Sequence, residues 1–110
     1  MDKTDFKDGL PDLEFPASDE ATFSAGALDP AALTALTIRA LEKSASSLVE
    51  GAVARLVSVS SDITGTTFEG GAGKITCRTD RQTRTLIFTG AELTSEAGLH
   101  LRATAIFRVD

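Results

Sequence analysis

The sequence predicts an α+β fold in which an antiparallel β-sheet wraps around one long central helix. Three observations carry that prediction. Residues 29–51, DPAALTALTIRALEKSASSLVEG, have helical apolar spacing and very little polar surface. Beyond Gly51 the apolar period drops to two, and four strand-like segments follow, separated by short turns. The last of these alternates cleanly, with Leu99, Leu101, Ala103, Ala105, Phe107 and Val109 set against His100, Arg102, Thr104, Ile106 and Arg108. A helix that apolar needs cover on most sides. An antiparallel sheet with one apolar face can curl around it and provide that cover.

Taken in order, residues 1–20 alternate charge, Gly and Pro with isolated Phe6, Leu10, Leu13 and Phe15. They read as an N-terminal arm, mobile or laid over a neighbouring surface, ahead of a single domain at 21–110. The acids Asp2, Asp5, Asp8 and Asp12 lack the spacing, loop Gly and terminal Glu of a calcium loop, so a solvated arm is expected. Residues 21–27, ATFSAGA, support a short strand with Gly26 at a turn or close approach.

In the helix, Asp29 is placed to cap the first turn and Pro30 to occupy the first helical position, where its missing N–H costs nothing. Ala31, Ala35, Ile38, Leu41, Ala45, Leu48 and Val49 form an apolar stripe, widened by Leu33, Leu36 and Ala40, and Gly51 supplies the stop. The strands are expected at 54–63, 74–79, 84–93 and 99–109, with a loop at 64–73 that holds four glycines. Short connections make successive strands antiparallel neighbours, a meander. Such a sheet leaves open edges, so pairing with a second copy is expected.

The chain has 110 residues, enough for one core, and its composition, 42% hydrophobic and 25% charged, is that of a soluble globular protein. A net charge of −5 argues against nucleic acid, which asks for a basic face. No run approaches the roughly 18 apolar residues of a membrane span, and the N-terminus lacks a secretory apolar segment, so the cytoplasm is the expected compartment. Cys77 is the lone cysteine and reads as a small buried hydrophobe. One His and no Asn, Trp or Tyr exclude N-glycosylation, aromatic stacking platforms and a His-rich metal site.

Other chemistry is weak. The segment EGGAGKIT has the glycines of a phosphate loop, but Phe68 stands where a Gly is required and Ile75 where Ser or Thr belongs. His100 falls on the polar side of the last strand without a visible partner, which suggests a surface or interface histidine. Ser58, Ser60 and Ser61 lack the G-x-S-x-G elbow of a serine hydrolase.

Residues 22–109 nevertheless resemble the hot-dog fold proteins of the acyl-CoA thioesterase superfamily. The resemblance rests on ARLVSVSSDITG, the following Gly-containing loop, the paired strands, a charged turn and the ending ATAIFRV. It implies a homodimer, often stacked into a dimer of dimers, that binds acyl-CoA or a similar thioester at the dimer interface. The CoA moiety would arrive as part of the substrate, with no further cofactor. The thioester carbonyl would lie near the helix N-terminus, whose N–H groups and partial positive charge favour an oxyanion, while a carboxylate serves as nucleophile or general base.

Two features depart from the family. The place of its HGG motif reads AGALDP, and the Asp or Glu that many relatives carry in the second or third helical turn is absent; the nearest acid is Glu42. Asp29-Pro30-Ala31-Ala32 resembles instead the DPAG start of the 4-hydroxybenzoyl-CoA thioesterase branch, with Gly26 three residues ahead. Asp29 and then Glu42 are therefore the candidate catalytic carboxylates, and a plain capping role for Asp29 is compatible with that one. Lys74 and Arg78, near the Gly-rich loop, are candidates to meet nucleotide phosphates. The alternative function is a non-catalytic hot-dog subunit acting as a ligand-binding or structural partner.

Overall fold

The computed structural model describes residues 9–110. Asp2, Asp5, Asp8 and Phe6, named above, lie outside them. The elements are β1 (Glu14–Ala17), β2 (Glu20–Leu28), α1 (Pro30–Ser46), β3 (Ala54–Ile63), β4 (Phe68–Gln82), β5 (Leu86–Ser95) and β6 (Gly98–Val109). All strands join one antiparallel sheet in the order β1-β2-β4-β5-β6-β3. The sheet wraps the helix as expected, but its order is not a simple meander. β3 leaves β4 and pairs with β6 at the far edge, so Thr64–Thr67 must cross the end of the β5–β6 hairpin to reach β4. The Gly-rich stretch is also more strand than loop, since Gly70, Gly71 and Gly73 pair with Gly26, Ala25 and Phe23 of β2.

The helix ends three residues before the expected apolar stripe does. Ser47 closes it, and residues 47–51 turn through Gly51, whose φ of 70° suits glycine. The buried face is Leu33, Leu36, Thr37, Ala40, Leu41, Ser44 and Ala45, at helical spacing. Ala31 faces solvent, Ala35 and Ile38 are half-buried, and Leu48 is exposed, so the stripe anticipated from them is displaced around the helix. Two polar side chains on or beside this face are satisfied internally: Thr37 Oγ1 donates to Leu33 O at 2.9 Å and Ser47 Oγ to Ser44 O at 2.6 Å.

Against that face β5 and β6 present Ile87, Ala91, Leu93, Leu101, Ala103, Ala105 and Phe107, and β4 adds Phe68, Ile75 and Cys77. Gly73 is required by packing, because a Cβ there would come within 2.3 Å of the Phe23 ring. Cys77 is buried as anticipated; desolvation, then the charges of Asp19 and Glu92, push its thiol up to about 11.

Two single-residue bulges decide which side chains face inward. Val57 is the extra residue on β3 between Leu56↔Phe107 and Ser58↔Ile106, so Ala54 and Leu56 before it and Val59 and Ile63 after it all fall on the helix side. His100 is the extra residue on β6 between Leu93↔Leu101 and Thr94↔Leu99. The strict alternation expected for the last strand breaks there, and His100 turns inward, fully buried, rather than standing at the surface beside Arg102.

Candidate active site at the helix start

β2 runs straight into α1, and this junction positions the first candidate. Leu28 pairs with Phe68, Asp29 follows in extended conformation, and Pro30 opens the helix. Ala32 N–H donates to Asp29 Oδ1 at 2.9 Å, the N-cap expected from the sequence, and the helix's first backbone bond runs from Leu33 N–H to Asp29 O at 3.0 Å. Pro30 has no N–H and that of Ala32 is engaged by the carboxylate. The first turn therefore presents the Ala31 N–H, rather than a full set of donors, to a ligand. Asp29 itself is exposed, and its Oδ1 serves the cap.

The cap and a catalytic role separate experimentally. Asp29→Ala is expected to cost about 0.5–2 kcal/mol of stability, whereas Asp29→Asn, which still accepts from Ala32, is expected to cost only a few tenths. Thermal unfolding of both variants checks this.

Glu42 is exposed on the same helix, thirteen residues further on. At 1.5 Å per residue it stands about 20 Å from Asp29 along the axis, so the two carboxylates do not share a site within one chain. The intervening turns hold Thr34, Thr37 and Ile38, with no acid, and both threonine hydroxyls donate to carbonyls of their own helix, Thr34 to Pro30 O at 2.8 Å.

Lys74 and Arg78 project from the sheet face opposite the helix, alternating with the buried Ile75 and Cys77. Each is already paired. Lys74 Nζ lies 3.2 Å from Glu20, and Arg78 bridges Asp80 at 3.0 Å and Glu92 at 2.9 Å while lying over Gly90. A phosphate at either would have to replace a carboxylate. A cleft of ≈ 520 Å³ lies on this outer side between Asp12 and Glu14 and the strand residues Thr22, Ser24, Lys74 and Thr94. Asp29 and Glu42 line neither it nor the two smaller clefts at other parts of the sheet. Among the described residues no group of three or more His, Cys, Asp or Glu is placed to hold a metal ion, and no helix is long and apolar enough to cross a membrane.

The strand β3 adds a feature of the surface. It is a ten-residue edge strand with no neighbour beyond it, and it carries Val57, Val59 and Ile63 at 53%, 38% and 48% exposure. With Val53 and Leu48 close by in sequence, these are the large apolar side chains left most open.

The residue that sequence reasoning misplaced is His100. Its Nδ1 lies 2.8 Å from Thr66 O and its Nε2 2.6 Å from Ser95 Oγ, and its ring meets Phe68 edge-on at 5.4 Å. The sequence offered no clear signal, because His100 fits the polar positions of the alternation with Arg102 and Thr104 and a bulge has no simple sequence mark.

No protein-family model matches this sequence, and no curated protein matches it. Solved structures do match in shape. A thioesterase of Haemophilus influenzae superposes with a TM-score of 0.78 at 14% identity, over 90% of this chain and 77% of that one. A variant of the phenylacetic acid degradation protein PaaI of Thermus thermophilus gives 0.74 at 15% identity, over 96% and 98%. A Bacillus halodurans protein solved with CoA gives 0.76 at 15% identity, over 89% and 71%. One helix packed into a six-stranded antiparallel sheet, in common with these thioesterase-type structures, makes this a hot-dog fold.

Proposed function

We propose that the chain handles acyl thioesters, CoA esters foremost, as a homodimer joined through β3. The observation that carries this reading is an exposed carboxylate, Asp29, at the start of a buried helix, in a fold shared with thioesterases and with a protein solved with CoA. Asp29 would act through its second oxygen on a water or on the acyl carbon, and the Ala31 N–H with the helix's positive end would favour the oxyanion. Glu42 is the second choice. It lies too far along the helix to assist Asp29 of its own chain, but an antiparallel partner helix could bring the partner's copy nearer. Lys74 and Arg78 would receive nucleotide phosphates by exchanging their carboxylate partners.

The dimer completes this reading physically. Asp29 lines none of the three clefts described above, and Val59 and Ile63 of β3 are left partly exposed. A second β3 would satisfy its open backbone groups, cover Val59 and Ile63, and build walls that one chain lacks.

A second reading is favoured by the helix itself. Its first turn has a single unengaged donor and its second and third turns have no acid, as suits a hot-dog subunit that binds a ligand or an active partner without turnover. Calorimetric titration with CoA and with a non-hydrolysable acyl-CoA ether, beside a hydrolysis assay, separates the two. Binding with turnover supports the enzyme, binding without it the partner subunit, and neither removes the thioester reading.

A further inference from the structure

The β5–β6 hairpin holds a second arrangement with the parts of a nucleophile. The bulge at His100 turns its imidazole inward, where it is fully buried against Phe68. Thr66 O can only accept, so at 2.8 Å it fixes the ring proton on Nδ1. In the neutral ring Nε2 then holds a lone pair, and Ser95 Oγ at 2.6 Å is its donor. Ala97 N–H in turn donates to Ser95 Oγ at 3.1 Å, which leaves the hydroxyl proton free to point at the ring. The order is hydroxyl, base, and a third group that orients the base, which is how a serine is activated in acyl transfer.

A merely structural tether explains part of this, since His100 and Thr64 hold the crossing 64–67 segment to the hairpin. It does not explain why Ser95 borders open space. Ser95 is half-buried, at the border of two clefts. One is the ≈ 520 Å³ cleft on the outer face, and the other, ≈ 380 Å³, is walled by Glu69, Gly70, Gly71 and Glu96. A buried base whose hydroxyl partner belongs to a residue bordering open clefts is the arrangement a nucleophile needs.

We propose that Ser95 is an acyl-accepting nucleophile with His100 as its general base, a second acyl-transfer centre separate from Asp29. The substrate class, activated acyl esters and thioesters, rests on the reading above. Ser95 Oγ would bond to the acyl carbon while its proton passes to His100 Nε2. The carbon–sulfur bond then breaks, and the leaving thiolate takes that proton to depart as thiol. Water attacks the acyl-serine, one proton returns through His100 to Ser95 Oγ, and the carboxylic acid leaves.

The test is covalent labelling with a fluorophosphonate, followed by peptide mass spectrometry, in the wild type, Ser95→Ala and His100→Gln. The expected result is one adduct on Ser95, absent in Ser95→Ala and formed about 10²–10⁴-fold more slowly in His100→Gln. If His100→Gln does not fold, Ser95→Cys reads the same base: its alkylation by iodoacetamide at neutral pH should clearly outpace that of a free thiol, with the buried Cys77 silent. Absence of any adduct on Ser95 together with ordinary Ser95→Cys reactivity overturns the proposal and leaves the pair as a clamp. The phosphonate reports on the pair whatever the natural substrate is. Labelling at Ser95 without hydrolysis of any thioester would keep the proposal and refute the substrate reading. Thioester turnover undiminished in Ser95→Ala, with no adduct, would do the reverse.

Discussion

Leu36→Ala is expected to lower the free energy of unfolding by about 2–5 kcal/mol. Leu36 is completely buried at the middle of the helix face that the sheet encloses. Removing its side chain loses transfer free energy and leaves a cavity that β5 and β6, held in register on both sides, can fill only partly. A domain of this size has about 5–15 kcal/mol in all, so this one change would cost a large share. Leu48→Ala, by contrast, is expected to change stability by less than about 0.5 kcal/mol in a single chain, because Leu48 lies beyond the helix end with 39% exposure. Urea unfolding with an unchanged slope measures both. Equal losses at the two positions would mean that the helix is seated the other way round.

Val59→Lys is expected to turn the proposed dimer into a monomer. Val59 is on the helix side of an edge strand and directly opposite Ala105 of β6, and it keeps 38% of its surface exposed. A lysine on an edge is the device that keeps natural sheets apart, since pairing would bury its ammonium group. Sedimentation of the wild type should give twice the chain mass at micromolar concentration, and of the variant the chain mass. Thioester turnover should fall with the dimer if the second chain completes the site. A wild type that stays monomeric at all accessible concentrations, or a variant that still pairs, contradicts the β3 interface.

These two residues also show how far the sequence could be read. Leu36 and its neighbours at three and four residues announce a helix, and the period-two run from Leu99 announces a strand, because burial against one face imposes both spacings. The Asp29 cap was equally legible, being a local rule about a short acceptor before Pro30. What was not legible depends on partners distant in the chain. The place of β3 beside β6 follows from a crossing of four residues, and a short connection reads the same whether it joins neighbours or spans a hairpin end. The helix stripe drawn through Ala31, Ile38 and Leu48 was displaced because small and apolar residues surround this helix, so periodicity alone cannot say which flank the sheet takes. His100 was assigned to the polar side by strict alternation, and one extra residue reversed it.

The candidate site divides in the same way. Asp29 and Glu42 were found as residue types on one helix, their thirteen-residue spacing already sets them about 20 Å apart, and the structure adds the 2.9 Å bond from Ala32 N–H to Asp29. Lys74 and Arg78 were found as cations near a Gly-rich run, and pairing with Glu20, Asp80 and Glu92 came from strand register.

The most direct measurement is hydrolysis of a panel of short, medium, long and aromatic acyl-CoAs by purified protein, with thiol release followed for wild type, Asp29→Asn and Glu42→Gln. Asp29→Asn keeps the cap and removes the base, so a folded variant that has lost about 10²–10⁴-fold in turnover is the predicted result, with Glu42→Gln close to wild type. Turnover unchanged in Asp29→Asn would contradict the assignment of the carboxylate, and no turnover of any acyl-CoA by folded wild type would contradict the hydrolase.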